Sequence, residues 1–378
     1  MKASRNAERW LPGYLTTRFA QRSEAARAGA TIDILFCIAD HYEPDHHGAG
    51  PAQRVARVAR WADESPKRAG GLRDADGRPP RSSFFSPAEI YSPDLVAPLA
   101  DLCHDGLGEF DVHLHHGHDT SANLRDTLTR FTQTLAANHG LLSRTPDGRL
   151  AYGFIHGDWA LDNSHHDAAV CGVNDEITVL RETGCYADFT MPSVFYPSQS
   201  RIVNRVYYAL DDPGAPGSHL DGPLARAGEP APDGALLMIP GPLALNWQQR
   251  IRGVLPRIDG GAIDYRTIPT LDRFRRWLSA GVTVAGRPEW VFVKAHTHGA
   301  PEPNADVMLG GPFRAMLADA LQHFNDGTHM RLHFVTAREM ANIAWAAIDG
   351  RAGNAGAYRD YRLLPVSPPR STFTPTRA

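Results

Sequence analysis

Four strand-like runs in this sequence stop at a histidine or an aspartate. Residues 32–39 run into Asp40-His41, and 110–114 run into His115-His116-Gly117-His118-Asp119. Residues 150–155 run into His156-Gly157-Asp158-Trp159, and 290–295 run into His296-Thr297-His298. Four more segments, at 82–86, 185–191, 235–239 and 330–335, have the length and apolar content of buried strands. Helical spacing fills the gaps, at 52–63, 94–104, 121–138, 174–183, 271–280, 306–324 and 337–348. Regular alternation of strand and helix calls for parallel strands joined by helical crossovers. Seven or eight such strands predict an α/β fold, a distorted (β/α) barrel. In a barrel every strand C-terminus reaches one rim, where active sites sit. Eighteen histidines scattered at random would not collect at strand ends.

The domain reading follows. Residues 1–30 form a helical N-terminal extension, with Trp10, Leu11, Tyr14, Leu15 and Phe19 as a docking face. Residues 31–349 form the barrel domain. Within it, 194–234 is a long insertion, Pro/Gly-rich from 212 onward, read as a loop covering a binding cleft. Residues 350–378 are read as a flexible tail. The net charge of −3 gives no nucleic-acid footprint. No stretch has the length and apolarity of a membrane span, and no signal peptide is expected. Four cysteines without a CxxC pair suggest reduced thiols and a cytoplasmic location. The oligomeric state is left open.

Imidazole and carboxylate are the usual ligands of catalytic zinc. Residues two apart on a strand share a face, so His113 and His115 point the same way. With Asp40 or His41, and with Asp119 four positions beyond His115, they make a candidate metal set that leaves a position open for water. Glu43 is a further candidate for this set. Asp45-His46-His47 matches a phosphoesterase DHH motif in three letters only. His296 or His298 is a candidate general acid. The chain has 36 arginines and three lysines; of those three, Lys294 shares a face with His296 and is a candidate oxyanion donor or ion-pair partner. His156, Asp158 and Trp159 are candidate substrate contacts, the tryptophan as a platform for a sugar ring.

The order of these motifs resembles the polysaccharide-deacetylase-like group (NodB homology, carbohydrate esterase family 4) of the glycoside hydrolase/deacetylase superfamily. The resemblance runs from about residue 33 to 348. It rests on Ala39-Asp40-His41, Ser83-Phe84-Phe85, His115 with Asp119 at the spacing of a histidine pair, Gly184-Cys185-Tyr186-Ala187-Asp188, a late strand-end histidine, and Phe334-Val335-Thr336 before the last helix. It implies a distorted barrel, a divalent metal (zinc first, with cobalt, nickel or manganese as alternatives) and deacetylation of an N- or O-acetylated sugar. By the same resemblance Asp40 is base or ligand, and His41, His115 and Asp119 surround the metal. The chain departs from the pattern at the second aspartate of the first motif, at Asp119 where a histidine is usual, and at the fourth strand, which lacks the family's arginine. Two alternatives stay open: a barrel phosphoesterase or amidohydrolase, and a carbohydrate-binding relative without turnover.

Overall fold

A computed structural model describes residues 6–28, 30–165 and 167–365. In chain order the strands are β1 (Ile32–His41), β2 (Ser82–Pro87), β3 (Gly108–Leu114), the short β4 (Ser143–Arg144), β5 (Leu150–His156), β6 (Cys185–Asp188), β7 (Tyr207–Leu210), β8 (Ala235–Met238), β9 (Ala244–Ile251), β10 (Leu255–Asp259), β11 (Trp290–Thr297), β12 (Met330–Phe334) and the short β13 (Leu364–Pro365). The helices are α1 (Ala7–Ala28), α2 (Pro51–Ala69), α3 (Pro93–His104), α4 (Ser121–His139), α5 (Glu176–Glu182), α6 (Leu271–Ala280), α7 (Glu302–Leu309), α8 (Gly311–Phe324) and α9 (Ala337–Ile348).

The fold is mixed α/β around a mostly parallel sheet, ordered β11-β1-β2-β3-β5-β6-β8-β7. The first half of β1 also pairs with β12, and its last residues pair with β2. The eight strands expected from sequence pair in parallel, and β7 is antiparallel to β8.

Alternation along each strand divides the core in two. Ile34, Phe36 and Ile38 of β1, Phe110, Val112 and Leu114 of β3, and Val291, Val293 and Ala295 of β11 pack with side chains of α2, α3, α4, α6 and α8. Leu35, Cys37 and Ala39 of β1, Ile155 of β5 and Phe292 of β11 face the other way, onto α9. Helix α9 is alanine-rich and buried almost all round, so its slim body fits against this second face. It starts at a capping box in which Thr336 accepts from the Glu339 amide and Glu339 returns to the Thr336 amide. The second face is apolar around Leu35, Cys37 and Phe292, with the buried Asp33–His333 pair at the strand N-termini. It becomes polar toward the C-termini, at His41, His113, Lys294 and His296.

Three expectations need correction. The segment 194–234 is not wholly a covering loop: it holds β7, and Val206, Tyr207, Tyr208, Ala209 and Ala225 are buried. Its many prolines and glycines surround a short apolar core that their composition hides. Residues 355–363 are packed rather than loose. Asn342 of α9 donates to the Arg359 and Leu363 carbonyls, and the buried Arg359 guanidinium meets Asp74, Asp76 and Glu339; residues 366–378 lie outside the described residues. On α1, Trp10 is buried against Val194, Val203 and Leu243, while Leu11, Leu15 and Phe19 are exposed. The docking face is therefore narrower than the sequence pattern implies. A hairpin, β9–β10, was not foreseen.

Candidate metal centre

Glu43 is the focus of the polar rim. It lies two residues beyond β1 and is buried. Its Oε1 sits 2.9 Å from His113 Nε2, 3.7 Å from His115 Nε2 and 3.9 Å from His298 Nε2. Its Oε2 sits 3.0 Å from His46 Nδ1. Burial pushes the Glu43 carboxyl up, but hydrogen bonds from His113 and His46 and the charge of neighbouring imidazoles outweigh that and hold it well below the usual carboxylate range. His41 lies against His113, His296 and His298, with ring centroids 5.2, 5.9 and 4.8 Å away. Burial and the surrounding imidazoles hold His41 well below its ordinary pKa, so it is neutral.

Two of these histidines have their other nitrogen already engaged. His113 Nδ1 lies 2.7 Å from the Ile155 carbonyl, and His115 Nδ1 lies 2.6 Å from Glu89 Oε1. These contacts aim both Nε2 atoms at Glu43; with an ion bound there, a proton kept on each Nδ1 would free Nε2 to ligate it, the arrangement typical of metal-ligating histidine. Glu43, His113 and His115 each bring one ligand atom within 4.8 Å of the others, and so do His41, Glu43 and His298. Three protein ligands of this kind, one of them partly exposed, suit a catalytic zinc with an open position. The loop is held from behind. Arg57 of α2 donates to the Pro44 and His46 carbonyls at 2.8 Å each and pairs with Glu302 of α7.

Asp40 does not join this set. It follows Ile38 on the helix-facing side of β1, so parity turns it away from His41. Its Oδ1 accepts from the Gly299 amide at 2.7 Å, in a buried space shared with Trp61. Trp61 Nε1 donates to the Gly299 carbonyl at 3.0 Å. Asp40 thus fixes the turn after His298 instead of meeting a metal among the rim histidines. Asp119 is displaced too. Its Oδ2 meets His116 Nδ1 at 3.0 Å, and its Oδ1 accepts from the Thr120 amide and the Asn123 side chain, both at 2.7 Å. Alternation puts His116 on the far side of β3 from His113, and the Gly117 turn brings Asp119 to it. A Cβ on Gly117 would stand 1.7 Å from the Ala169 carbonyl oxygen.

Lys294 is buried and donates to the Phe189 and Met191 carbonyls, the second at 2.8 Å. Burial brings its ammonium down to about 8. Those carbonyls occupy it as a tether for the chain after β6, which leaves the oxyanion role without support. His296, brought down to about 3 by burial and the charge of Lys294, is a neutral imidazole. It lines a cleft of about 620 Å³ with Trp159, Phe195 and Tyr196. Trp159 stacks on Tyr196, with centroids 4.7 Å apart and planes at 23°. Asp158 is exposed, and both Asp158 and Trp159 have positive φ, 51° and 53°. His156 is buried on the helix-facing side, away from that cleft. Of the residues singled out from sequence, the structure brings His41, His113 and His115 together, and it adds Glu43 and His46 to them. Strand parity along β1 separates Asp40 from His41 in the sequence alone.

No protein-family model matches the chain, and no curated protein matches it.

Proposed function

We propose that this chain is a metal-dependent hydrolase that removes an acyl group, acetyl first, from an amino sugar or related carbohydrate, in the manner of the polysaccharide-deacetylase-like family. The observation that carries the reading is the convergence of Glu43 with His113 and His115, both imidazoles held so that Nε2 faces the carboxylate. These three hold the metal, zinc by preference for nitrogen and carboxylate donors. A bound divalent cation there supplies Lewis acidity, bringing the pKa of a coordinated water toward neutrality and polarising the acyl carbonyl.

The chain's own residues do the rest. His298 is partly exposed, and burial beside other imidazoles keeps its pKa below the ordinary value. As a neutral base at the mouth of the site it takes a proton from water and returns it to the leaving amine. Trp159 and Tyr196 offer aromatic faces to a sugar ring, and His296 lines the same cleft. A tryptophan in the left-handed region costs about 1–3 kcal/mol, strain that functional sites commonly retain. The sheet is read as a distorted barrel. Hydrogen bonds from Phe292 to Val282, from Val206 to Thr283 and from Ala285 to Ala225 link β11 toward the edge that carries β7. Among the described residues no helix is long and apolar enough to cross a membrane. The cytoplasm is the compartment proposed for the four unpaired cysteines.

One observation favours a second reading. Glu43 belongs to both triads, His113/His115 and His41/His298. A carboxylate shared in that way suits two metals about 3.5–4 Å apart, as in phosphoesterases and amidohydrolases. The test is acetate release from N-acetylated sugars, and phosphate release from phosphoesters, by protein stripped of metal and then reloaded with zinc, cobalt, nickel or manganese. Metal-dependent acetate release supports the first reading and phosphate release the second. Turnover unaffected by stripping the metal sinks both.

A further inference from the structure

A second polar group lies on the helix-facing side of the sheet and shares no residue with the Glu43 centre. His116 follows β3, His156 ends β5, Cys171 lies between β5 and α5, and Glu176 opens α5. One donor atom from each falls within 4.8 Å of the others. Glu176 Oε1 is 3.2 Å from His116 Nε2 and 3.5 Å from His156 Nε2, and Glu176 Oε2 is 3.5 Å from Cys171 Sγ. Tetrahedral zinc with its usual bond lengths holds its donor atoms roughly 3.3–3.7 Å apart.

Both imidazoles are set for ligation. His116 Nδ1 faces Asp119 Oδ2, whose carboxylate is fixed in turn by Thr120 and Asn123. His156 Nδ1 lies 2.5 Å from the Gly157 carbonyl. With an ion bound in place of the proton that His116 Nε2 shares with Glu176, a proton kept on each Nδ1 would leave both Nε2 atoms free to ligate. His156 is 1% exposed, and its Nε2 finds no hydrogen-bond partner among the described residues. An orphaned buried acceptor is costly unless something meets it.

We propose that His116, His156, Cys171 and Glu176 form a second, closed, four-coordinate zinc site. Two imidazoles, one thiolate and one carboxylate suit zinc and exclude calcium or magnesium as the preferred ion. On binding, the Cys171 thiol loses its proton to solvent as the zinc–sulfur bond forms, with no change of oxidation state. The four ligands come from the end of β3, the end of β5, the 157–175 segment and α5. The ion therefore clamps the segment that carries Trp159 onto the sheet. Glu176 Oε2 already accepts from the Asp162 amide in the same segment. With all four positions taken by protein, this site is structural.

The test is cobalt substitution of metal-stripped full-length protein, read by absorption. The expected result is a thiolate-to-cobalt charge-transfer band that persists in Glu43→Gln and disappears in Cys171→Ser, with zinc per chain falling by one in the serine variant. X-ray absorption at the zinc edge of the wild type needs no variant and should contain a sulfur shell at about 2.3 Å. A wild-type protein with only nitrogen and oxygen neighbours, or a band that survives Cys171→Ser, overturns the site. Either outcome leaves the Glu43 centre untouched, because the two sets share no ligand.

Discussion

Replacing Asp40 with asparagine separates the placement of this residue in the structure from the role its motif suggests. The carboxyl is fully buried. Its Oδ1 accepts from Gly299, and its Oδ2 finds no partner among the described residues. Burial pushes its pKa from 3.8 up to about 8, even with the Gly299 amide and the charge of Arg68 pulling it back. Because the folded value is raised, stability is full below about pH 4 and is lost as pH climbs toward 8. The loss is about 1.4 kcal/mol per pH unit across that window. Asparagine keeps the Gly299 hydrogen bond and carries no charge. Near pH 4 the variant should match the wild type. At pH 7 it should be more stable by an amount on the order of 4 kcal/mol. Urea unfolding at pH 4, 5, 6 and 7 reads the gap directly. A gap that stays flat, or an asparagine variant that is the weaker protein at pH 7, refutes the reasoning. Either would mean that folded Asp40 is charged and has a cation beside it, as the motif reading holds.

Other perturbations test the remaining parts. Glu43→Gln removes the carboxylate shared by His113, His115 and His298 and should lower metal affinity at the rim by at least about 100-fold, measured by chelator competition. Gly157→Ala puts a Cβ 2.2 Å from His115 Cδ2; it should push that ring aside and weaken metal binding and turnover together, with the circular dichroism of the fold unchanged. At the opposite end of the sheet, His333 bridges Asp33 and Asp76, each at 2.8 Å. Burial lowers its pKa, but the two carboxylate bonds outweigh that and raise it. Stability from this bridge is therefore full below about pH 6.5 and lost as pH rises through the folded value. His333→Ala should flatten that decline and cost about 3 kcal/mol or more below pH 6.5.

The legible part of the fold was the part written in short-range pattern. Apolar runs of strand length with helical spacing between them identified the parallel strands, because burial on both faces needs near-continuous apolar residues. Strand β7 and the β9–β10 hairpin escaped. Their partners are antiparallel neighbours, and in β9 and β10 exposed residues such as Trp247 and Leu255 blur the alternation. At the site, His113 and His115 were readable from period two. Glu43 was not, because it lies past the end of β1, where parity no longer fixes direction and the loop held by Arg57 does. Asp119 misled for a related reason. The Gly117 turn reverses the side on which the following residues fall, and nothing local in His116-Gly117-His118 records that reversal. Glu176 and Cys171 lie about sixty residues from His116, so their convergence depends on the crossover between β5 and β6.

The measurement that bears most directly on the Glu43 centre is a crystal structure of zinc-loaded protein with anomalous scattering recorded at the zinc edge. The account predicts a strong peak within about 2.0–2.2 Å of Glu43 and of the Nε2 atoms of His113 and His115. An absence of density there, or a rim peak coordinated instead by Asp40 or Asp119, would contradict it.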